Sequence, residues 1–430
     1  MKLQDLCPVP LPQAVDLPIE VFIEAGAAQS VPYAVQTHLG QRIFAVADPD
    51  TWNAANKVID LRALFGDQFC VHTLPPHPKG KMELLDELAE QIHDVDGLLA
   101  IGSGTINDLV KSLSERFEKP SVVLGTAASM NGYASSIAAL MDKGLKVTVP
   151  ATPPRAIILD LDILKDAPLA MAQAGLADLL SKPVSGADWW VASRLGESEF
   201  NPLPGRIVDH AVQQAVANAE GIPSGDLGSL QALAEACVLS GVSMAVAGNS
   251  SPASGGEHLI SHLWDMERLQ QNLPMNLHGA QVGLTVCLST AIYHALMQYG
   301  SPAFPEPPGW EHEAVRIPGD HGILADSVLP QTKLKHDGAS ARREQLIKLW
   351  SQLRQELIDM NIPTPQETHD VLRKAHAPDT LNALSLSTDD ALRGLRISRD
   401  IRSRYTVLDL AFELGLFPEA IPDILTASGV

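Results

Sequence analysis

Two histidines, His258 and His262, lie four residues apart in the apolar-rich stretch GEHLISH, residues 256–262. On an α-helix this spacing is about one turn, so both imidazoles project from one face and could bind a metal ion or transfer a proton. The stretch differs from the zinc-protease signature HExxH, because Glu257 precedes the first histidine and no carboxylate lies between the two. Two histidines that simply share a packed helix face would give the same pattern, so the motif alone leaves both interpretations open.

Asp178 and His278 are further candidates for the same chemistry. Asp178 lies in the apolar segment AGLADLLSK, residues 174–182, where a carboxylate is costly to bury unless it is paired or bound to a cation. His278 begins the apolar run HGAQVGL. One carboxylate with two or three imidazoles is a donor set that suits zinc, nickel or iron. Each residue alone is also compatible with a structural role, but together they indicate a candidate metal site.

Two turns rich in small residues could bind a dinucleotide. In the first, LLAIGSGTINDLVK (residues 98–111), Gly102 and Gly104 let the backbone approach a ligand, and a helix beginning near Thr105 offers N–H groups to a pyrophosphate. This GxGxxN pattern is not the full dinucleotide fingerprint, so a plain β–α turn remains an equal alternative. The second turn, LGTAASMNGYASS (residues 124–136), follows the next strand, and ligands of open α/β sheets bind at such carboxyl ends.

Short apolar runs alternate with helical candidates over the first 165 residues. The strand candidates are residues 21–26, 42–48, 69–74, 97–102, 121–126 and 156–164, with helical candidates at 81–94 and 106–117 and a hairpin arm at 144–154. Runs this apolar, separated by helices, predict a buried parallel sheet with βαβ connections. Asp48, which ends one strand, could accept hydrogen bonds from a ribose or be an ordinary turn residue.

From about residue 167 the pattern is helical. Residues 169–195 and 228–248 have helical spacing and few strand signals, whereas residues 300–322 are rich in Pro and Gly and are predicted to form a long surface excursion. We therefore predict an α/β nucleotide-binding domain over residues 1–165 and an all-α metal- and substrate-binding domain over residues 166–430.

Composition argues against several functional classes. The 430 residues include 31 Lys and Arg and 51 Asp and Glu, and the net charge of −20 argues against nucleic-acid binding. The N-terminus lacks the apolar core of a signal peptide, and no apolar run is predicted to reach membrane-spanning length. The four cysteines include no CxxC pair, so neither a disulfide framework nor a thiolate metal site is expected. We expect a cytoplasmic protein without membrane insertion.

Seven segments together carry a family resemblance. They are IGSGTINDLVK, TAASMNGYASS, PPRAIILDLDIL, AGLADLLSK, EHLISH, HGAQVG and RDIRSRYTVLDLAFELGLF. Their order resembles that of sn-glycerol-1-phosphate dehydrogenases, and most of all the AraM-like bacterial branch of this family. The resemblance implies a Rossmann-like α/β N-terminal domain and an all-α C-terminal domain, as in the dehydroquinate synthase-like and iron-containing alcohol dehydrogenase fold.

The resemblance also implies a role for each site residue. Asp178, His258 and His278 would bind one divalent metal ion, zinc in the first place and nickel or iron as alternatives. His262 would contact the substrate and relay a proton, and Asp178 would touch the substrate as well. The implied cofactor is NAD or NADP, with contacts from Gly102, Ser103, Gly104, Thr105, Ile106, Thr126, Ala127, Ala128, Ser129 and Ser135, to which we add Asp48 from its position.

The implied reaction is the reversible reduction of dihydroxyacetone phosphate to sn-glycerol 1-phosphate. Asn131 stands where the family has an aspartate that binds substrate hydroxyls, and asparagine loses the charge and adds two donors. A dehydrogenase of glycerol or another polyol (phosphate), a dehydroquinate synthase-like carbocycle-forming synthase and a weakly catalytic binding protein stay open as alternatives. The complete set of implied metal ligands argues against the binding protein, and the RDIRSRYT segment against the synthase.

The substrate is expected to be a small polyol phosphate or ketone. Its phosphate needs cationic or N–H partners, for which Arg399, Arg402 and Arg404 are candidates. An arginine-rich helix is often simply a solvated, salt-bridged face, so this assignment has a plain alternative. We also expect the chain to form a homo-oligomer.

Overall fold

The computed structural model describes residues 1–66 and 69–430. These residues form two compact units. The first comprises Met1–Leu179, Pro202–Ser250 and Lys374–His376, and the second comprises Leu180–Asn201, Ser251–Arg373 and Ala377–Val430. The predicted domains, residues 1–165 and 166–430, have other boundaries, and the functions assigned to them stay predictions.

A parallel sheet of six strands lies in the first unit. The strands in chain order are β1 (Glu20–Glu24), β2 (Ile43–Ala47), β3 (Phe69–Thr73), β4 (Gly97–Gly102), β5 (Ser121–Gly125), β6 (Ile137–Asp142), β7 (Leu145–Pro150) and β8 (Ala156–Asp160). The parallel sheet has the order β1-β8-β5-β4-β2-β3, and β6 and β7 form a separate antiparallel hairpin. Strands β2, β4, β5 and β8 are buried along their whole length, as their continuous apolar sequences predict.

Helices make up most of the remaining structure. They are α1 (Leu3–Leu6), α2 (Val31–His38), α3 (Pro49–Asn56), α4 (Leu61–Phe65), α5 (Met82–Ala89), α6 (Gly104–Phe117), α7 (Leu161–Asp166), α8 (Leu169–Leu179), α9 (Lys182–Arg194), α10 (Leu203–Ala217), α11 (Leu227–Ala247), α12 (Gly256–Gln270), α13 (His278–Gln298), α14 (Trp310–His321), α15 (Ala325–Asp359), α16 (Pro365–Lys374), α17 (Thr388–Ile397), α18 (Val407–Glu413) and α19 (Ile421–Ser428). In the described ranges, every regular element after β8 is helical. The predicted architecture, an α/β N-terminal part followed by an all-α part, is confirmed.

The last predicted strand is too long by four residues. Residues 156–164 were expected to be extended, but β8 ends at Asp160 and α7 begins at Leu161. The carboxylate of Asp160 accepts hydrogen bonds from the backbone N–H groups of Asp162 (2.9 Å) and Ala28 (2.7 Å). Because an aspartate at this position satisfies N–H groups in the first turn, it starts a helix where the apolar pattern alone predicts more strand.

The predicted surface excursion at residues 300–322 is wrong in its second half. Residues 310–321 form α14, which contains Pro318. Glu313, Ile317 and His321 are buried, and their spacing of four residues places them on one face of this helix. The Pro and Gly content of the segment concealed this pattern.

Two helices are also longer and more apolar than predicted from the sequence. Both α11 and α13 have 21 residues, and their most apolar windows have mean hydropathies of 1.6 and 1.3, which suffices by length and composition to cross a membrane. These windows are 72% and 83% buried inside the protein. The statement that no run reaches membrane-spanning length is therefore wrong, and the burial is that of core helices.

Candidate active site

Asp178, His258 and His278, the three predicted metal ligands, lie close together. One donor atom from each of the three residues lies within 4.8 Å of the donor atoms of the other two. Asp178 and His258 are 1% and 5% exposed, and His278 is half-buried at the start of α13. A carboxylate and two imidazoles at this spacing are a donor set that fits a single divalent cation.

Each of the two histidines has a hydrogen-bond partner at its Nδ1 atom. Nδ1 of His258 lies 2.8 Å from Oε1 of Glu257, which also accepts the N–H of Gly255 at 2.7 Å. Nδ1 of His278 lies 3.4 Å from Oγ of Ser261. Metal-binding histidines ordinarily use one nitrogen for the metal and the other for such a partner. The Nδ1 contacts of both rings are of the kind that metal-binding histidines make.

A buried carboxyl pair supports the start of α12. Asp188 accepts hydrogen bonds from the backbone N–H groups of Gly256 (2.7 Å) and Val407 (2.8 Å) and from the hydroxyl of Tyr293. Burial, together with the negative charge of Glu257, raises the pKa of Asp188 to about 8. The raised pKa favours the neutral form of the Asp188 carboxyl beside the start of α12.

His262 lies beside the predicted metal ligands without belonging to their set. Its ring centroid is 5.5 Å from that of His278, with the rings stacked, and 5.9 Å from that of His258. The side chain is half-buried. The sequence spacing thus brings both histidines of GEHLISH to one face, and only His258 groups with Asp178 and His278 in the described ranges.

The small-residue turn packs against the helix that carries Asp178. A β-carbon built on Gly175 would lie 1.9 Å from the carbonyl oxygen of Ala128, so only glycine fits there. Asp178 is three residues further along α8 and therefore lies on the same face of the helix as Gly175. This contact fixes Asp178 relative to the predicted cofactor contacts Thr126, Ala127, Ala128 and Ser129.

The two predicted cofactor turns are neighbours at the carboxyl edge of the sheet. Strands β4 and β5 are paired, and the N–H of Thr126 donates to the carbonyl oxygen of Gly102 at 3.2 Å. A β-carbon on Gly104 would lie 3.3 Å from Cγ of Met130. The sequence alone could not distinguish a cofactor site from two separate turns, and their adjacency favours one site.

The glycine turn leads directly into α6. Ser103 is the N-cap residue, and its side chain makes no capping hydrogen bond within the described chain. Ser103, Gly104 and Thr105 are half-buried, whereas Ile106 is buried. The first N–H groups of a helix have no partner within the helix, so this end can bind an anion such as a pyrophosphate.

Two other predicted cofactor contacts have structural partners. Asp48 is the N-cap of α3, and its carboxylate accepts the N–H of Thr51 at 2.8 Å. Oγ of Ser135 lies 2.9 Å from Nζ of Lys111 and donates to the carbonyl oxygen of Ile137 at 2.8 Å. Asp48 is therefore a helix-capping residue, as its alternative interpretation as an ordinary turn residue allowed. Contacts of Asp48 and Ser135 with a cofactor stay predictions.

Comparison with known proteins places the chain in a family. Residues 22–168 match the family described as iron-containing alcohol dehydrogenase. A Bacillus subtilis protein named glycerol-1-phosphate dehydrogenase [NAD(P)+] is 33% identical over 287 residues, which cover 65% of this chain and 72% of the relative. The chain belongs to the glycerol-1-phosphate dehydrogenase family.

Relatives from other organisms have the same name, and a solved structure has the same fold. Proteins of the same name from Halalkalibacterium halodurans and Methanosarcina mazei are 34% and 33% identical over 58% and 55% of the chain, and the matches cover 64% and 68% of those relatives. A probable glycerol dehydrogenase from Sinorhizobium meliloti has a TM-score of 0.63 at 16% identity, with 97% of this chain and 99% of that chain covered. This structural likeness confirms the fold expected from the family.

Asn131 lies at the position where the family resemblance implied an aspartate. It lies in the loop between β5 and β6 and is half-buried. Its Nδ2 is buried and has no hydrogen-bond partner in the described part of the chain. An amide donor without a partner is costly in a protein interior, so an acceptor from a ligand would stabilise it.

The arginines expected to bind phosphate in this family member differ in their surroundings. Arg399 lies over the ring of Phe412, with Cζ 4.2 Å from the centroid. Arg404 donates through Nη1 to the carbonyl oxygen of Ser254, just before α12. Burial lowers the pKa of Arg404 to about 10 and also lowers that of Arg402. Which of them contacts phosphate stays a prediction.

The structure also identifies two supporting residues that sequence reasoning missed. Glu257 was considered only as a carboxylate in the wrong place for a zinc protease, yet it holds His258. Lys111 ends the glycine-turn segment, and its buried ammonium binds the loop that carries Asn131. The adjacency of Glu257 to His258 was a usable signal, whereas the partners of Lys111 are too distant in sequence to be inferred.

Proposed function

We propose that this chain interconverts dihydroxyacetone phosphate and sn-glycerol 1-phosphate with NADH or NADPH and one divalent metal ion. The observation that carries this proposal is the group formed by Asp178, His258 and His278 in a member of a family whose relatives bear this name. The two imidazoles and one carboxylate suit zinc, with nickel and iron as alternatives.

The residues of the chain divide the work of the reaction. Asp178, His258 and His278 would hold the cation and, as three ligands, leave positions open to substrate oxygens. A bound cation supplies Lewis-acid stabilisation of the negative charge on the substrate oxygen, and the nicotinamide supplies the hydride. The first turn of α6 would bind the pyrophosphate of the cofactor and so orient its nicotinamide.

His262 and Asn131 would act on the substrate itself. The half-buried imidazole of His262 lies beside both metal-ligand histidines, where it can give a proton to the developing alcohol oxygen and take it back in the reverse direction. The amide of Asn131 would donate to a substrate oxygen through Nδ2. Asp178 would contact the substrate as well as the cation.

A second function on the same scaffold is favoured by one observation. Asn131 replaces the aspartate expected in the family, so the residue proposed to read the substrate hydroxyls is neutral. Another small polyol or polyol phosphate could therefore be the preferred substrate. The chemistry, a hydride transfer supported by a divalent cation, would be the same.

The protein is further proposed to be a cytoplasmic homo-oligomer that neither enters a membrane nor binds nucleic acid. Burial of the apolar helices α11 and α13 inside the protein supports the proposal that the chain does not enter a membrane. The net charge of −20 supports the proposal that it does not bind nucleic acid. The exposed apolar side chains of Val315, Ile323 and Leu334, which are 77%, 84% and 64% exposed, are available for contacts between copies.

A nicotinamide absorbance assay tests the proposed substrate. Purified protein would be assayed with NADH and NADPH against dihydroxyacetone phosphate, unphosphorylated dihydroxyacetone and other ketone phosphates, and in reverse with both glycerol phosphate enantiomers. The proposal predicts the highest kcat/KM for dihydroxyacetone phosphate and oxidation of sn-glycerol 1-phosphate but not sn-glycerol 3-phosphate. A clear preference for another ketone or polyol would replace it by the second function.

A further inference from the structure

Lys111 is a buried cation that binds a single loop. Its side chain, in the middle of α6, is 1% exposed. The ammonium donates to the carbonyl oxygens of Gly132 and Ile137, both at 2.7 Å, and to Oγ of Ser135 at 2.9 Å. These three acceptors equal in number the N–H donors of an ammonium group, and the carbonyl oxygen of Ser135 lies slightly farther from Nζ, at 3.3 Å.

Asp108, one turn earlier on α6, extends the same set of contacts. Its Oδ1 lies 3.1 Å from Nζ of Lys111, and its Oδ2 accepts the N–H of Ala139 at 3.1 Å. Burial lowers the pKa of Lys111, while the charge of Asp108 opposes that shift. Burying a charge is costly unless it is paired and hydrogen-bonded, and here the compensating groups all come from α6 itself or from residues 132–139.

The loop held in this way connects two parts of the proposed site. Asn131 immediately precedes Gly132, the first residue bound by Lys111. At its other end, α6 begins with the glycine turn proposed to bind the cofactor pyrophosphate. One helix, α6, therefore determines the positions of both the glycine turn proposed to bind the cofactor and Asn131, which is proposed to contact the substrate.

We propose that Lys111 is a positioning residue that fixes the Asn131 loop relative to the cofactor-binding end of α6. This inference rests on the proposed function for its effect on catalysis, but the positioning itself is measurable without substrate. The expected consequence of losing the ammonium is a mobile loop and a misplaced Asn131, since a misplacement of about 1 Å can cost about a hundredfold in rate.

Hydrogen–deuterium exchange on Lys111→Met tests the positioning directly. Methionine has a similar length and no donors, and Lys143→Met removes an ammonium from an exposed lysine in the β6–β7 turn as the matched control. Peptides covering residues 130–139 should exchange at least about tenfold faster in Lys111→Met, while peptides from β4 and β5 keep the wild-type rate. Lys143→Met should match the wild type throughout.

Steady-state kinetics test whether the position of the Asn131 loop affects the reaction. Lys111→Met should lower kcat/KM for dihydroxyacetone phosphate by about ten- to a hundredfold and change the dissociation constant of NADH by less than about threefold. A uniform rise in exchange across the unit would indicate a structural role only and overturn the proposal. So would unchanged exchange at residues 130–139, or faster exchange with unchanged kcat/KM.

A milder variant covers the case in which Lys111→Met does not fold. Asp108→Asn removes the counter-charge but keeps the shape, and should raise exchange at residues 130–139 by a smaller factor with a matching fall in kcat/KM. Unchanged exchange in this variant would overturn the proposal. If wild-type protein reduces another ketone instead, the proposed substrate fails while the exchange result stands, and kcat/KM is then measured on that ketone.

Discussion

The carbonyl oxygen of Ala128 lies so close to Gly175 that a β-carbon on Gly175 would stand 1.9 Å away from it. Because the atom in the way belongs to the backbone, no side-chain rotation can make room. Asp178 follows on the same face of α8, one turn later. The contact therefore couples the turn proposed to bind the cofactor to the carboxylate proposed to bind the metal.

Gly175→Ala is predicted to separate α8 from this turn. We expect a loss of about 1–3 kcal/mol in the free energy of unfolding and a fall of at least about tenfold in kcat/KM. Gly186→Ala is the control, since a β-carbon at this helical position in α9 meets nothing within 4 Å. It should be neutral or stabilise the protein by up to about 1 kcal/mol. Urea unfolding and steady-state kinetics check both, and equal behaviour of the two variants would contradict the role of the contact.

Glu257 is predicted to strengthen metal binding without touching the metal. Its Oε1 lies 2.8 Å from Nδ1 of His258, so it fixes the ring and makes Nε2 a better donor. Glu257→Gln should weaken zinc binding about tenfold, as measured by competition with a chromophoric chelator. Glu267→Gln, on the same helix but hydrogen-bonded to Arg393 at 2.5 Å, should bind zinc like the wild type. No difference between these variants would show that Glu257 serves folding alone.

Asp400 should give the protein a pH-dependent stability. Asp400 is 2% exposed, and its carboxylate accepts hydrogen bonds from Arg316 at 2.8 and 3.0 Å. Nε2 of His321 lies 3.1 Å from the same carboxylate. Burial alone would raise the pKa of Asp400, but the hydrogen bonds from His321 and Arg316 and the arginine charges lower it overall. Because the folded pKa lies below the unfolded one, the stabilisation is present above about pH 4 and is lost as the pH falls further.

Asp400→Asn should therefore lower the free energy of unfolding by about 3 kcal/mol at pH 7. This is the low end of the range for a broken buried ion pair, because Arg316 keeps Glu313 and Asp320 as partners. The cost should stay constant down to about pH 5 and shrink below about pH 4. Urea unfolding of wild-type and variant protein at several pH values measures it. Asp389→Asn, at an exposed position, should cost less than about 1 kcal/mol. A cost for Asp400→Asn that grew as the pH fell would contradict the assigned ion pairs.

Asn131→Asp restores the aspartate expected in the family. A carboxylate accepts from substrate hydroxyls, whereas the amide of Asn131 offers donors. We expect a change of about tenfold in kcat/KM for sn-glycerol 1-phosphate, since one hydrogen bond to a charged group is worth about 1.4 kcal/mol or more. Kinetics over the substrate panel check this. No change on any substrate would show that residue 131 does not read the substrate, and activity only in the variant would point to another natural substrate.

The sequence was informative where one physical cause determines the structure. Continuous apolar runs identify buried parallel strands, so β2, β4 and β5 were predicted close to their observed bounds. Two predictions failed where a second cause competes with the apolar pattern. The carboxylate of Asp160 starts a helix inside a predicted strand, and burial of Ile317 overrides the Pro and Gly content of its segment.

In the candidate site, too, the sequence indicates the residue types but not the contacts that depend on packing. Asp178 was singled out because a carboxylate is costly in an apolar helix, and His258 because it lies four residues before His262. The family resemblance implied that these two residues and His278 form one metal site, and the structure shows that the three lie close together. Neither type nor spacing reveals that Lys111 binds a loop more than twenty residues away. Such a contact depends on how β4, α6 and β5 pack, which a single sequence does not display.

The central claim is that reduction of dihydroxyacetone phosphate depends on one cation held by Asp178, His258 and His278. The most direct test measures bound metal and NADH-dependent activity on the same samples of wild type, His258→Ala and His262→Ala. Chelated wild type should lose activity and regain it in proportion to added metal, saturating at one ion per chain. His258→Ala should lose most of its metal and activity, whereas His262→Ala should keep its metal and turn over slowly. Full activity in metal-free wild type, or equal loss of metal from both variants, would contradict the claim.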